Sequence, residues 1–241
     1  MKISIIIPAF NEERLIAETI RHVQAATIQL SRRGWEHELI VCDNNSSDRT
    51  AAIAQAAGAK VVFEPINQIA RARNTGAAAA SGDWLIFIDA DSYPSPELFM
   101  EVAREIESGT CLAGGATIRL EGHYSLGSKV TGFWNLLSRR LRWLAGSFIF
   151  CEAAAFRKVG GFSNELFAAE ELDLSRRLKR LARSERRRIV ILSRHPLLTS
   201  ARKMHLYTPL EHLGFLARTI LAGGRTLYRR DGCPTWYDGR R

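Results

Sequence analysis

Two rhythms of apolar residues run through the first hundred positions: short unbroken apolar runs alternate with stretches in which apolar side chains recur every third or fourth residue. The first rhythm marks strands buried on both faces, the second helices with one buried face. "ISIIIPAF" thus predicts a strand, and Ile16, Ile20, Val23, Thr27 and Leu30 predict a helix between Glu12 and Arg33. "HELIVC" predicts a second strand, Asp48 to Gly58 a short helix ended by glycine, "AKVVFEP" a third strand, and "NQIARARNTGAAAASG" an alanine-rich helix. "WLIFID" predicts a fourth strand, and "SPELFMEVAREIES" a helix with Ser95 as N-cap and Pro96 at its first position. Strand and helix in repeated alternation predict an α/β fold: a mostly parallel central sheet flanked by helices and joined by right-handed crossovers.

After Gly109 the rhythm loosens. "CLAGGATIRL" predicts a strand, "KVTGFWNLLSRRLRWLAG" an amphipathic helix or loop, "SFIFCEAAAFRKVGGF" a strand and turn, "EELDLSRRLKRLA" a helix and "RIVIL" a final strand, while Pro209 to Arg230 predicts a basic helical tail. The 241 residues, 46% of them hydrophobic, suffice for one sizeable α/β domain with a peripheral segment. The expected organisation is one domain over 1–205, with halves 1–110 and 111–205, and a basic helical extension over 206–241.

Charge adds a second theme. Lys plus Arg number 34 against 25 Asp plus Glu, a net +9, and most of the excess follows Arg139 in runs such as "SRRLRW" and "SRRLKRLARSERRR". Such asymmetry suits an anionic partner, whether a nucleotide diphosphate, a phospholipid surface, a phosphorylated acceptor or nucleic acid. For any single run a solvated helix face is the simpler account. No nucleic-acid-reading motif accompanies the charge, so a nucleic-acid partner is not expected. In "GFWNLLSRRLRWLAG", aromatics interleaved with arginines suit either an anionic membrane surface or a helix buried on one side. Four scattered cysteines without a C-x-x-C pair indicate neither zinc nor a disulfide framework, and the opening apolar run is too short for a signal peptide. With no run near the roughly 20 apolar residues of a membrane span, the expected location is the cytoplasm, extending to the inner face of the cell membrane.

Candidate chemistry gathers where the strands end. In an open parallel sheet, ligands bind beyond the carboxyl ends of the strands. The first strand ends at Asn11 and Glu12, the second at Asp43, and the fourth at Asp89 and Asp91. Asp43 can accept hydrogen bonds from a base or a ribose. Asp89 and Asp91 suit Mg²⁺ or Mn²⁺, because hard cations are commonly held by one or two carboxylates plus substrate phosphates. Each has a simpler alternative: Asn11 as cap of the first helix, Asp43 as part of an Asx-rich loop, Asp91 as the start of a turn. A second acidic group, Glu170, Glu171 and Asp173, precedes or begins a helix, where acids are favoured by the helix dipole; glycines 160 and 161 allow it to fold back over the sheet edge.

The ordered motifs "SIIIPAFNEE", "VCDNNSSDRT", "ARARNTGAAAASGDWLIFIDADS" and "AAFRKVGGFSNELFAAEELDLSRRL" resemble those of inverting family 2 glycosyltransferases of the GT-A (Rossmann-like) fold. The resemblance covers about the first two hundred residues. It implies that Pro8, Ala9, Asn11 and Glu12 line a nucleotide, that Asp43 contacts the base, that Asp89 lies near ribose and diphosphate, and that Asp91 binds Mg²⁺ or Mn²⁺. The implied reaction moves a sugar from a nucleotide-diphosphate donor, a UDP-sugar favoured, to a glycan or lipid acceptor. The family usually has Glu-Asp where this chain has Glu170 and Glu171, and the following residues align Glu171 with the catalytic base, Glu170 being the runner-up. A Ser-x-Arg segment follows the last strand in similar enzymes; here Arg202 and Lys203 would neutralise the diphosphate and His205 would complete the metal shell. The alternatives are a catalytically weakened sugar-nucleotide binder, because glutamate is one methylene longer than aspartate, and a nucleotidyltransferase, against which "PAFNEER" offers no glycine-rich phosphate loop. "IFIDADS" also has a superficial likeness to haloacid-dehalogenase-type phosphatases, but those carry the motif on their first strand.

Overall fold

The computed structural model describes residues 1–122, 125–202 and 224–233. One sheet of eight strands organises them. The first four strands along the chain, β1 (Lys2–Ala9), β2 (Glu36–Asp43), β3 (Lys60–Phe63) and β4 (Trp84–Ile88), pair in parallel. Between them run α1 (Ile16–Ser31), α2 (Thr50–Ala56) and α3 (Ile69–Ala78). Then come β5 (Ser92–Tyr93), α4 (Pro96–Glu107), β6 (Cys111–Leu120), α5 (Ser125–Leu141), β7 (Phe148–Glu152), α6 (Ala153–Lys158), α7 (Glu170–Ser184) and β8 (Arg188–Thr199). Across the sheet the order is β3-β2-β1-β4-β7-β6-β8-β5.

The unbroken apolar runs have the predicted consequence, since the strands feed two cores. Ile3, Ile5 and Ile7 of β1 and Ile86 of β4 pack with α1 and α4 on one face, while Ile6, Leu85 and Phe87 pack with α6 and α7 on the other. α4 starts as read, with Ser95 Oγ accepting from Leu98 N at 3.2 Å.

Three features depart from the sequence reading. α1 begins at Ile16 rather than Glu12, because Asn11 takes φ +53° and Glu12 to Leu15 form a turn closed by Leu15 N on Glu12 O. Asn11 therefore does not cap α1. β7 runs antiparallel between β4 and β6, so the right half of the sheet is mixed. β8 continues well past "RIVIL" to Thr199, where it pairs with the two-residue β5 and brings Ser200 N onto Asp91 O at 2.9 Å. The basic helical tail expected from Pro209 to Arg230 falls mostly outside the described residues, which show a 3₁₀ turn at Arg225–Tyr228.

Candidate active site

β4 hands the chain to Asp89, Ala90 and Asp91 beyond the carboxyl ends of the parallel strands. α1 fixes this turn from one side, its buried Thr19 donating to Ala90 O at 2.7 Å. α3 fixes it from the other. Gly76 allows that close approach, since a Cβ there would lie 2.5 Å from Ile6 Cγ2. The consequence is that Arg73 of α3, 1% exposed, reaches the end of β4.

Its guanidinium is the hub of the site. Nη1 donates to Glu170 Oε1 at 2.6 Å, and Nη2 donates to Asp89 Oδ1 and Gly146 O, both at 2.9 Å. Phe162 lies 5.2 Å beneath it. Burial alone would lower the pKa of Arg73, but Asp89, Glu170 and Glu171 outweigh burial and raise it. A buried cation held by carboxylates from two distant segments joins the halves of the fold.

The second acidic group arrives by a polar clamp. Asn74 of α3 accepts from Phe162 N and donates to Phe162 O, each at 2.9 Å, and Gln68 Nε2 donates to Asn164 O and Leu166 O at 2.9 and 2.8 Å. Ala169 then turns the chain at φ +61°, and α7 begins at Glu170. Glu170, 3% exposed, is committed to Arg73. Glu171 lies beside it at the cavity, and burial, followed by the charge of Glu170, pushes its pKa well above the usual carboxylate range. Asp89, Asp91, Glu170 and Glu171 together line one cavity of about 270 Å³, to whose wall α5 contributes Trp134.

The residues expected around a nucleotide form an adjoining group. Ala9 stands in register with Asp43 across β1 and β2. Asn11 accepts from Ser47 N at 2.8 Å, Glu12 N donates to Thr50 Oγ1 at 2.7 Å, and Asp43 accepts from Ser46 N at 3.2 Å, so the two loops are stapled together. Asp43 thus also makes the Asx contact that its loop composition suggests. Pro8, Ala9, Asn11, Glu12 and Asp43 do not line the acidic cavity. Arg202 links the two groups: its Nη2 lies 2.6 Å from Glu12 Oε1 and 4.0 Å from Asp91 Oδ2. Lys203 and His205 lie outside the described residues.

Among the described residues, no three His, Cys, Asp or Glu side chains stand close enough to hold a metal ion alone. Two carboxylates on one short turn, both lining the cavity, nevertheless fit a hard cation that takes its remaining oxygens from a diphosphate and water.

The sequence reading missed Gln68, Arg73 and Asn74. Their one signal was polar side chains at the start of, and within, a helix that its alanines mark as packed.

Comparison with known proteins fits this geometry. The glycosyl transferase family 2 profile matches residues 4–160. A dolichol-phosphate mannosyltransferase of Pyrococcus furiosus is 31% identical over 124 residues, 48% of this chain and 33% of that protein. An undecaprenyl-phosphate 4-deoxy-4-formamido-L-arabinose transferase of Pseudomonas fluorescens is 33% identical over 120 residues, 46% of this chain and 34% of that protein. The matched stretch is thus about a third of these curated relatives. Among solved structures, the mannosyltransferase PcManGT of Pyrobaculum calidifontis, in complex with GDP-Man and Mn²⁺, superposes with TM-score 0.67 at 17% identity, covering 94% of this chain and 62% of that one. The glucosyl-3-phosphoglycerate synthase of Mycobacterium tuberculosis, with Mn²⁺, UDP and glucosyl-3-phosphoglycerate, gives 0.60 at 22% identity, covering 92% and 77%. These likenesses show the GT-A fold, and with the profile spanning more than half of its residues the chain belongs to glycosyl transferase family 2.

Proposed function

We propose that the protein transfers a sugar from a nucleotide-diphosphate donor, a UDP-sugar favoured, to an acceptor hydroxyl or lipid phosphate, with inversion at the anomeric carbon. The observation that carries this reading is the division of labour between the adjacent glutamates. Arg73 holds Glu170 as a fixed counter-ion, while Glu171 faces the same cavity as Asp89 and Asp91. Glu171 takes the proton of an acceptor hydroxyl as that oxygen attacks the anomeric carbon, and a base with a raised pKa suits this task near neutral pH. Asp43 and the stapled loop of Pro8, Ala9, Asn11 and Glu12 receive base and ribose, and Arg202, with Lys203 as a further candidate, would neutralise the diphosphate. Asp91 and Asp89, with His205 as a further candidate ligand, would hold Mg²⁺ or Mn²⁺, which when bound neutralises the departing diphosphate as a Lewis acid. The working unit in this reading is 1–205, on the cytoplasmic side of the membrane, with 206–241 as a basic extension.

The names of the curated relatives favour a lipid-phosphate acceptor. A phosphate already ionised needs little help from a base, so the acceptor classes separate kinetically. UDP release is measured with UDP-sugars, Mn²⁺ and either polyprenyl phosphate or glycan acceptors. Glu171→Gln is expected to lower kcat about 10²- to 10⁴-fold with a hydroxyl acceptor and far less with a phosphate. Full turnover in Glu171→Gln with a hydroxyl acceptor, combined with loss in Glu170→Gln, would reverse the assignment of the two glutamates.

A further inference from the structure

We infer that the outward face of α5 docks on an anionic phospholipid bilayer. The sequence left two readings of this segment, a membrane-facing helix or a helix packed against the sheet, and the structure assigns them to opposite sides of α5. The inner side carries buried Ser138, Asn135 bonded to both backbone groups of Ile118 of β6, and Trp134 at the cavity wall. The outer side carries Val130, Phe133, Leu136 and Leu141, exposed by 59, 68, 57 and 42%. At 100° per residue these four lie within one continuous arc of the helix. Isolated surface leucines need no explanation, but a stripe of four large apolar side chains on one helix marks a contact surface.

Charge selects the partner. Arg139 and Arg140 lie in the last turn of the same helix, Arg142 follows it directly, and none of the three makes an ion pair among the described residues. Arg142 holds its position at φ +50°, a conformation uncommon outside glycine. Beside them, Lys179 of α7 donates to Leu141 O, and Arg183 joins Arg140, Arg142 and Lys179 around one cleft. Burial, then the charges of Arg183, Arg176 and Arg142, lowers the pKa of Lys179, so the ledge repels itself. The helix dipole accounts for cations at the end of α5, but not for the apolar stripe. A stripe that inserts and a cationic ledge that meets phosphates is the pattern of an interfacial helix on anionic lipid. Because Trp134 on the other side of the same helix lines the cavity, docking would bring the acceptor side of the site to the membrane; this consequence rests on the transferase reading, whereas the docking itself does not.

Vesicle flotation tests it, using the full chain without donor or acceptor. The protein is expected to float with phosphatidylglycerol-containing vesicles and not with phosphatidylcholine alone, and added salt should weaken the association. Phe133→Glu with Leu136→Glu should lower the bound fraction at least ~10-fold, and Arg139→Glu with Arg140→Glu should abolish the preference for anionic lipid. UDP titration of each variant reports that fold and donor site are intact. The inference is overturned if the wild type stays in the soluble fraction or if Phe133→Glu with Leu136→Glu floats like the wild type. It is equally overturned if those substitutions instead convert a sedimenting dimer to a monomer, which would make a second copy the occupant. Flotation without UDP binding would remove the donor reading and leave the docking face standing.

Discussion

Replacing Arg73 by methionine tests the buried hub most sharply. The side chain is fully enclosed and makes three hydrogen bonds, two of them to carboxylates. Methionine fills much of the volume but leaves Glu170 at 3% exposure and Asp89 beside it without their cation. Removing one partner of a buried ion pair costs about 3–5 kcal/mol, because the remaining charge stays desolvated. For a chain of this size, each kcal/mol shifts Tm by about 2–4 °C, so Arg73→Met should melt roughly 6 to 20 °C below the wild type. Glu170→Gln in the same chain should recover part of the loss, because it removes one of the two carboxylates left without their cation. A loss under about 1 kcal/mol in urea unfolding, or no recovery on adding Glu170→Gln, would refute the view that Arg73 is the counter-ion of the acidic cluster.

With a hydroxyl acceptor, kcat/KM should rise with pH through an apparent pKa above the usual carboxylate range, since burial and the charge of Glu170 raise that of Glu171 and only its ionised form accepts a proton; a profile flat down to pH 5 would contradict this. Glu38 has the opposite shift: burial works against its charge, but hydrogen bonds from Ser4 and Ser81 and the charge of Lys2 hold its pKa at about 2. Its contribution, about 1 kcal/mol after allowance for solvent screening, is present above pH 4.5 and lost as pH falls towards 2, so Glu38→Gln should narrow the gap from the wild type in acid unfolding curves. Gly82→Ala would place a Cβ 2.6 Å from the backbone N of Ser4, which cannot give way, and should destabilise the chain by about 1–3 kcal/mol in urea unfolding. Arg202→Met should weaken UDP binding while leaving Tm less affected than Arg73→Met does, because the Arg202 side chain is 19% exposed against 2% for Arg73 and lies between Glu12 and Asp91.

The parts legible from sequence are those in which one local pattern decides the outcome. β1 after its first residue is an apolar run interrupted only at Ser4, β4 is an unbroken one, and α4 carries both a serine cap and a proline, so none of the three needs information from elsewhere in the chain. The acids of "DAD" and "EELD" were legible because charge beside an apolar run demands a partner. The partner was not legible. Arg73 stands 16 and 97 residues from the two carboxylates it holds, within a helix whose alanines alone announce packing. Asn74 and Gln68 are hidden in the same way, because a polar residue bonded to a distant backbone leaves no periodic trace. The orientation of β7 and the two-residue β5 depend on pairing across the sheet, which strand patterns do not encode. Glu170 and Glu171 differ only in which one Arg73 reaches, a matter of three-dimensional placement.

The central claim is that the carboxylates at the end of β4 receive a nucleotide diphosphate together with a divalent cation. Calorimetric titration with UDP and GDP, with Mn²⁺ and then with chelator, for the wild type and Asp91→Ala, tests it most directly. Metal-dependent binding of one of these nucleotides is expected, lost with chelator and lost in Asp91→Ala. Failure to bind either nucleotide, or binding indifferent to both metal and Asp91, would contradict it.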